Sequence, residues 1–192
     1  MEFDEVVKNR RSVRSFDNKR VSWKRIIDAV ECANQNPFAG NFNNIKFLVV
    51  EDSENIKIIS RHANQSWMEQ SSIIVLVCSD EKNLENLYGQ RGRIYSRQQA
   101  GAVIQTFLLK IADMGLSACW VGAFSDDSIK PNLGIPKDSN IEAIIPVGYP
   151  KISKMDKKQK KRGIENSIYW DNWKVIKRPS IFKEPTDEHG LK

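Results

Sequence analysis

Residues 98–124 read QQAGAVIQTFLLKIADMGLSACWVGAF, and this stretch decides the fold. Its first part predicts a helix over residues 98–114, because apolar side chains recur at helical spacing: Ala100, Val103, Ile104, Phe107, Leu108 and Ile111. Further apolar positions widen this arc, as in a helix that is central in a fold or lies at a subunit interface. Gly115 suits the position just after the helix, and residues 118–124 then predict a strand and a turn.

The flanking sequence predicts a mixed α and β domain. Strands are expected at 46–51 (KFLVVE), 73–78 (IIVLVC) and 141–147 (IEAIIPV). One helix is expected over residues 2–9, and a second is expected to follow Ser22, which can cap it. Two more are expected, one from a cap at Ser53 to residue 59 and one from a cap at Asp126 to near Pro131. Residues 80–97 are polar and weakly patterned, which suits a flap or an insertion carrying Tyr88 and Tyr95. The expected organisation is a core over 1–150, a basic connector over 151–162 and an arm over 163–192.

Composition excludes several classes of protein. The chain has 192 residues, of which 40% are hydrophobic, enough to bury one core. No apolar run is long enough to span a membrane, and the charged start does not resemble a secretory signal. Cys32, Cys78 and Cys119 lie far apart and form no CxxC, which favours a reducing cytoplasm. Two histidines and no HExxH argue against a metal site.

The positive charge is confined to one segment. The chain carries 30 basic and 24 acidic residues, and residues 151–162 (KISKMDKKQKKR) hold seven basic residues and one acidic residue, the whole surplus of six. Such a run is either a solvated connector or an electrostatic footprint for an acidic partner. Nucleic acid is disfavoured, because no recognition motif accompanies the run.

Three segments could bind a ligand, and each has a simpler interpretation. Residues 10–14 (RRSVR) offer phosphate-binding arginines and a serine hydroxyl, or merely a charged helix end. Residues 37–43 (PFAGNFN) allow close backbone approach to a flat ligand, or form an ordinary turn. Residues 115–123 could present bare backbone N–H groups, or only pack a helix on a strand, with Cys119 as a buried small hydrophobe.

Taken together and in this order, these segments resemble the nitroreductase family of FMN-dependent oxidoreductases. Residues 10–16 (RRSVRSF) resemble the family's RRSxRxF, and residues 37–47 (PFAGNFNNIKF) are similar to its PSAxNxQPWxF. Residues 100–122 resemble its long helix followed by GLGxxWxG, and LGIP (133–136), IPVGYP (145–150) and Arg178-Pro179 resemble later motifs. Phe38 stands where the family has Ser, and Asn43-Asn44-Ile45 stands where it often has Gln-Pro-Trp.

The resemblance implies an α+β fold with a central, mainly antiparallel sheet flanked by helices. It also implies a homodimer in which the C-terminal arm reaches the partner and two FMN sites lie at the interface. Arg10 and Ser12 would bind the phosphate and ribityl end, with Arg11 beside them, and Arg178 would return to the phosphate. Arg14 would approach the pyrimidine edge of the flavin.

Further site residues follow from the same resemblance. Gly122 and Ala123 would offer N–H groups to the flavin N5 and O4, and Asn64 would contact the ring. Phe38, Ala39, Gly40 and Asn41, with Asn43, would line the ring from the other subunit. Arg14 and Gly122 are thus the expected catalytic positions.

The implied activity is hydride transfer from NAD(P)H to flavin N5, followed by electron transfer to a small flat acceptor such as a nitroaromatic or a quinone. The cofactor then carries the chemistry, while the protein supplies binding, orientation and electrostatics. The alternative is a non-catalytic FMN carrier or sensor that docks through its basic segment.

Overall fold

A four-stranded antiparallel sheet forms the centre of the protein in a computed structural model, which describes residues 2–151 and 167–177. The strand order is β1-β2-β4-β3, with β1 at Ile45–Val50, β2 at Ile73–Asp80, β3 at Ser117–Ala118 and β4 at Ser139–Gly148. A parallel bridge joins Ser12 to Ala118 at the β3 edge. The expected α+β class and mainly antiparallel sheet are therefore confirmed.

Six α-helices flank this sheet in the described residues. They are α1 (Phe3–Asn9), α2 (Trp23–Ala33), α3 (Ser53–His62), α4 (Lys82–Tyr88), α5 (Gln90–Asp113) and α6 (Asp126–Leu133). One hydrophobic cluster joins α2 and α5 to one face of the sheet, and a second joins α3 and α6 to the opposite face. Because β2 is covered on both faces, its side chains form a continuous apolar run rather than an alternating one.

Helix α5 begins at Gln90, eight residues before the predicted start at Gln98. Residues 80–97, which the sequence describes as a weakly patterned flap or insertion, form α4 and the first turns of α5, and their role as a flap stays a prediction. Gly92 explains the difference: a Cβ there would lie 2.6 Å from the Glu85 nitrogen and closer still to the Leu84 carbonyl. The missing side chain lets two helices pack backbone to backbone, a contact that leaves no apolar periodicity in the sequence.

The predicted boundaries of α3 and α6 also need correction, since α3 runs on to His62 and α6 has Ser125, not Asp126, at its N-cap. Asp52, not Ser53, caps α3, and its carboxylate accepts a hydrogen bond from the Asn55 N–H at 2.9 Å. Helix α6 continues past Pro131 to Leu133 and ends at Gly134, whose φ of 66° is left-handed. Gly115, with φ of 71°, follows α5 as predicted.

The chain divides into two compact units, Met1–Asp156 and Lys157–Lys192. In the second unit, the Tyr169 and Trp173 rings stack with centroids 4.3 Å apart, and the Trp170 N–H donates to the Val175 carbonyl at 2.8 Å. Arg178 and most of the predicted connector lie outside the described residues. The division into core, connector and arm stays a prediction. No helix in the described part of the chain is long and apolar enough to cross a membrane.

Candidate functional site

The arginine-rich segment runs beside the short edge strand β3. The Val13 N–H donates to the Ala118 carbonyl at 3.1 Å, and Phe16 forms an antiparallel bridge with Pro150. Val13 and Phe16 are buried, and Phe16 packs on Gly148, where a Cβ would come within 2.7 Å of the ring. These two apolar anchors keep the segment extended, so its polar side chains stay partly or fully accessible.

Arg10 and Arg11 stand half-buried against the C-terminal end of α5. With Leu108, Leu116 and Ser117 they border a cavity of about 20 Å³, far too small for a phosphate group. Within the described residues neither guanidinium has a hydrogen bond or an ion pair. An anion would therefore contact the Arg10 and Arg11 guanidinium groups at the protein surface. The alternative interpretation is that they are merely cations at a helix end, where the negative C-terminal end of the helix favours positive charge.

The turn after β3 presents open backbone. The Val121 N–H donates to the Ile144 carbonyl at 3.0 Å, which fixes the start of the turn on β4. Gly122 and Ala123 are exposed, and in the described part of the chain their N–H groups have no hydrogen-bond partner. A Cβ on Gly122 would meet nothing within 4 Å, so packing against the described residues does not explain this glycine.

Residues 62–70 form a third segment, which contacts both the arginine-rich segment and the region of the open turn. Ser125, just after the open turn, donates its N–H to the His62 carbonyl at 3.2 Å at the end of α3. The Trp67 ring lies 6.4 Å from the Phe16 ring, and the Phe16 N–H donates to Gln70 Oε1 at 3.4 Å. The structure thus brings residues 10–16, 62–70 and 118–125 together, although they are far apart in sequence.

Asn64 lies in this third segment, exposed and with a left-handed φ of 52°. It borders a surface cavity of about 400 Å³ together with Lys57, Arg61 and Gln65. An asparagine tolerates this backbone conformation better than most residues, so the conformation alone explains why it suits the position.

The loop over residues 37–43 belongs to a different part of the molecule. It forms a 3₁₀ turn at Ala39–Asn41, in which Gly40 and Asn41 have φ of 59° and 56°. The Ala39 N–H donates to Gln99 Oε1 of α5 at 2.6 Å, and Phe38 packs against the core. The Asn43 side chain is already paired, since its Oδ1 accepts from Ile45 N at 2.9 Å and its Nδ2 donates to Asn34 Oδ1 at 3.2 Å.

Sheet order separates this loop from the other segments. It leads into β1, one edge of the sheet, whereas Ser12 and the open turn lie at β3, the opposite edge. Three inter-strand steps amount to about 14 Å. One chain therefore does not bring all the predicted residues around one small ligand: Arg10, Arg11, Ser12, Arg14, Asn64, Gly122 and Ala123 lie toward one edge, and the 37–43 loop toward the other.

The sequence alone missed the buried polar residues Asn44, Ser96 and Gln99, which tie the loop to α5. For Ser96 and Gln99 the signal was two polar residues three positions apart on the face of α5 that also buries Val103. That signal is visible only when the helix is known to begin before Gln98, because Ser96 otherwise falls in the supposed flap.

The cysteines of the core show no sign of reactivity. Cys119 is buried, and its thiol lies 3.8 Å from the Trp120 carbonyl oxygen. Burial raises the pKa of the Cys78 thiol to about 11, which disfavours the nucleophilic thiolate. Among the described residues no group of histidine, cysteine and carboxylate side chains could hold a metal ion.

Known proteins share this sequence pattern and fold. A family model described as the nitroreductase family matches residues 7–66 and 54–149. An Archaeoglobus fulgidus protein, provisionally named NADH dehydrogenase/NAD(P)H nitroreductase, is 25% identical over 173 residues, covering 88% of this chain and 97% of that protein. The FMN reductase (NAD(P)H) of Bacillus subtilis is 26% identical over 136 residues, covering 62% of this chain and 55% of that protein.

A solved structure agrees. The crystal structure of a nitroreductase family protein from Clostridium novyi NT superposes with a TM-score of 0.73 at 24% identity, covering 90% of this chain and 95% of that one. This likeness extends through the sheet and its flanking helices. Because the family model spans well over half of the sequence, the chain belongs to the nitroreductase family.

Proposed function

We propose that this protein is an FMN-dependent oxidoreductase that takes hydride from NAD(P)H and passes electrons to a small flat acceptor. Membership in the nitroreductase family and the name of the Bacillus subtilis relative, an FMN reductase, support an oxidoreductase enzyme. The observation that carries the proposal is the open Gly122–Ala123 turn, whose two N–H donors have no partner among the described residues and lie beside an arginine-rich segment.

The residues present fit an FMN molecule. Arg10 and Arg11 offer guanidinium donors without partners in the described chain, which suit a phosphate. Ser12 adds a hydroxyl between them and the sheet edge. The two N–H groups of the open turn suit the acceptor atoms of a flat heterocycle, because a backbone without a Cβ permits close approach. Asn64 would meet the ring from the third segment.

FMN, when bound, would supply the redox chemistry by accepting hydride and returning electrons, in a ping-pong cycle that uses one slot for both substrates. The residues of the chain would orient the FMN ring and stabilise the charge that develops on it. Arg14 would lie at the pyrimidine edge and stabilise the negative charge that develops there, since a fixed cation in a water-poor site acts strongly on such charge. The Gly122 and Ala123 N–H groups would fix the ring in the plane that faces the slot.

A second copy of the chain would complete the site. The 37–43 loop lies at the sheet edge opposite the open turn, so its contribution would come from a partner. The single chain also exposes large apolar side chains on α1 and α2, among them Phe3 at 70% and Trp23 at 54%. Exposed apolar side chains that form a contiguous patch mark a surface for contact with another molecule. We therefore include a homodimer in the proposal.

Substitution of Gly122 tests the proposal directly. Its φ is not left-handed and its Cβ position is empty, so Gly122→Ala and Gly122→Val should leave the melting temperature of the FMN-free protein unchanged. If a flavin ring lies on this backbone, the larger side chain should weaken FMN binding more than the smaller one, by about tenfold or more for valine. Equal FMN affinity for both variants and the parent would refute this placement.

A further inference from the structure

A buried network of three polar side chains connects the 37–43 loop to α5. Asn44 is 4% exposed, Gln99 is 6% exposed and Ser96 is fully buried. Gln99 Nε2 donates to Asn44 Oδ1 at 2.8 Å, and Asn44 Nδ2 donates to Ser96 Oγ at 2.7 Å. These uncharged groups lie among apolar core residues, where leaving any one of them unpaired is costly.

The network holds both ends of the loop. At its start, Gln99 Oε1 accepts the Ala39 N–H at 2.6 Å. At its end, Gln99 Nε2 also approaches the Phe42 carbonyl at 3.4 Å, and Asn44 Nδ2 donates to the Asp80 carbonyl at 3.0 Å. One helical side chain thus contacts the backbone on either side of Gly40 and Asn41, the two left-handed residues of the turn.

This arrangement coincides with a departure of this chain from the motif it resembles. Asn44 stands at the position of the proline in the Gln-Pro-Trp pattern. A proline restricts the backbone through its ring and brings no polar side chain. Asn44 instead fixes the loop by hydrogen bonds that reach α5, so the position of the loop depends on a helix residue outside the motif.

We propose that Gln99 is a positioning residue that sets the placement of the 37–43 loop over the acceptor slot, with Asn44 and Ser96 as its supports. This inference rests on the proposed function, because it assigns the loop to the acceptor side of a flavin site. It goes beyond that function because it assigns an effect on acceptor binding to the buried Gln99 amide, which need not contact the acceptor. Loss of the network should affect the acceptor KM more than the affinity for FMN, whose phosphate the arginines would hold.

The test compares Gln99→Met with Gln98→Met, which makes the same change at the exposed neighbouring position of α5. Hydrogen exchange of residues 38–44, measured by mass spectrometry on the FMN-free full chain, reports the hold on the loop without using activity. Steady-state kinetics on the FMN-loaded protein, with a quinone as acceptor, measures how the change in the loop affects the acceptor KM. A lost buried hydrogen bond should speed local exchange and raise the acceptor KM, each by about tenfold.

The inference is supported if Gln99→Met shows both changes, keeps its FMN affinity, and Gln98→Met shows neither. Unaltered exchange in Gln99→Met would overturn it, because the loop would then not depend on this residue. Faster exchange with an unchanged acceptor KM would also overturn it, since the loop would not bear on the acceptor. Absence of FMN binding by the parent chain would instead overturn the proposed function, whatever the exchange shows.

Discussion

Replacing Gly92 with alanine tests how residues 80–97 are arranged. A Cβ at this position would lie 2.6 Å from the Glu85 nitrogen and closer to the Leu84 carbonyl, against ordinary contacts of at least 3.4 Å. Helix α4 would have to move by roughly 1 Å, and overpacking of this kind costs about 1–3 kcal/mol. The helical preference of alanine over glycine offsets about 0.5–1 kcal/mol of that cost. We expect the free energy of unfolding to fall by about 1 kcal/mol, since the two terms together span about 0–2.5 kcal/mol.

Gly101→Ala is the matched control on the same helix. A Cβ there meets nothing within 4 Å among the described residues, so the substitution should stabilise the protein by about 0.5–1 kcal/mol. Urea denaturation followed by circular dichroism, at one protein concentration, measures both variants. Opposite signs would support the close packing of α4 on α5. If both variants were equally stabilised, α4 would not be packed on α5 in this way.

Three further predictions concern charge and reactivity. Arg97→Met should destabilise the protein by about 2–3 kcal/mol, because it leaves the largely buried Glu142 carboxylate, now 2.8 Å from the guanidinium, without its ion pair. Arg93→Met breaks an exposed ion pair and should lower the free energy of unfolding by less than about 0.5 kcal/mol. Similar urea midpoints for Arg97→Met and Arg93→Met would contradict this ranking. Arg14→Ala should slow reduction by NAD(P)H about 10²-fold while FMN stays bound, as stopped-flow absorbance would measure; an unchanged rate would remove its electrostatic role. Cys78, with its pKa raised from 9.0 to about 11, should carry about a hundredth of the usual thiolate at pH 8 and resist iodoacetamide in the folded protein, and rapid labelling located by mass spectrometry would contradict that.

Local patterns predicted β1, β2, β4 and the second half of α5 well, whereas the strand expected within residues 118–124 is only the two-residue β3 at Ser117–Ala118. Residues 73–78 are continuously apolar, and the strand there is buried on both faces. Residues 98–114 have a strong helical period, and the helix is present there. In these places burial alone selects the residue type, so the pattern is visible without knowledge of the neighbours.

Contacts between distant segments could not be predicted. The approach of α5 to α4 depends on the absence of a side chain at Gly92, and the sequence shows only one glycine in a polar stretch. The Gln99–Asn44 hydrogen bond joins residues 55 positions apart, and each amide alone resembles a surface residue. The candidate site was predicted through motifs of a known family, and the sequence alone did not show that these motifs lie toward two opposite edges of the sheet.

Anaerobic titration of the purified, FMN-reconstituted protein with NADPH and NADH would show whether it is a working flavin oxidoreductase. We expect a visible flavin absorption band that bleaches with one or both nucleotides and returns when a quinone is added. A flavin band that neither nucleotide bleaches would favour the non-catalytic carrier or sensor. A protein that remains colourless after incubation with FMN would contradict the flavin site itself.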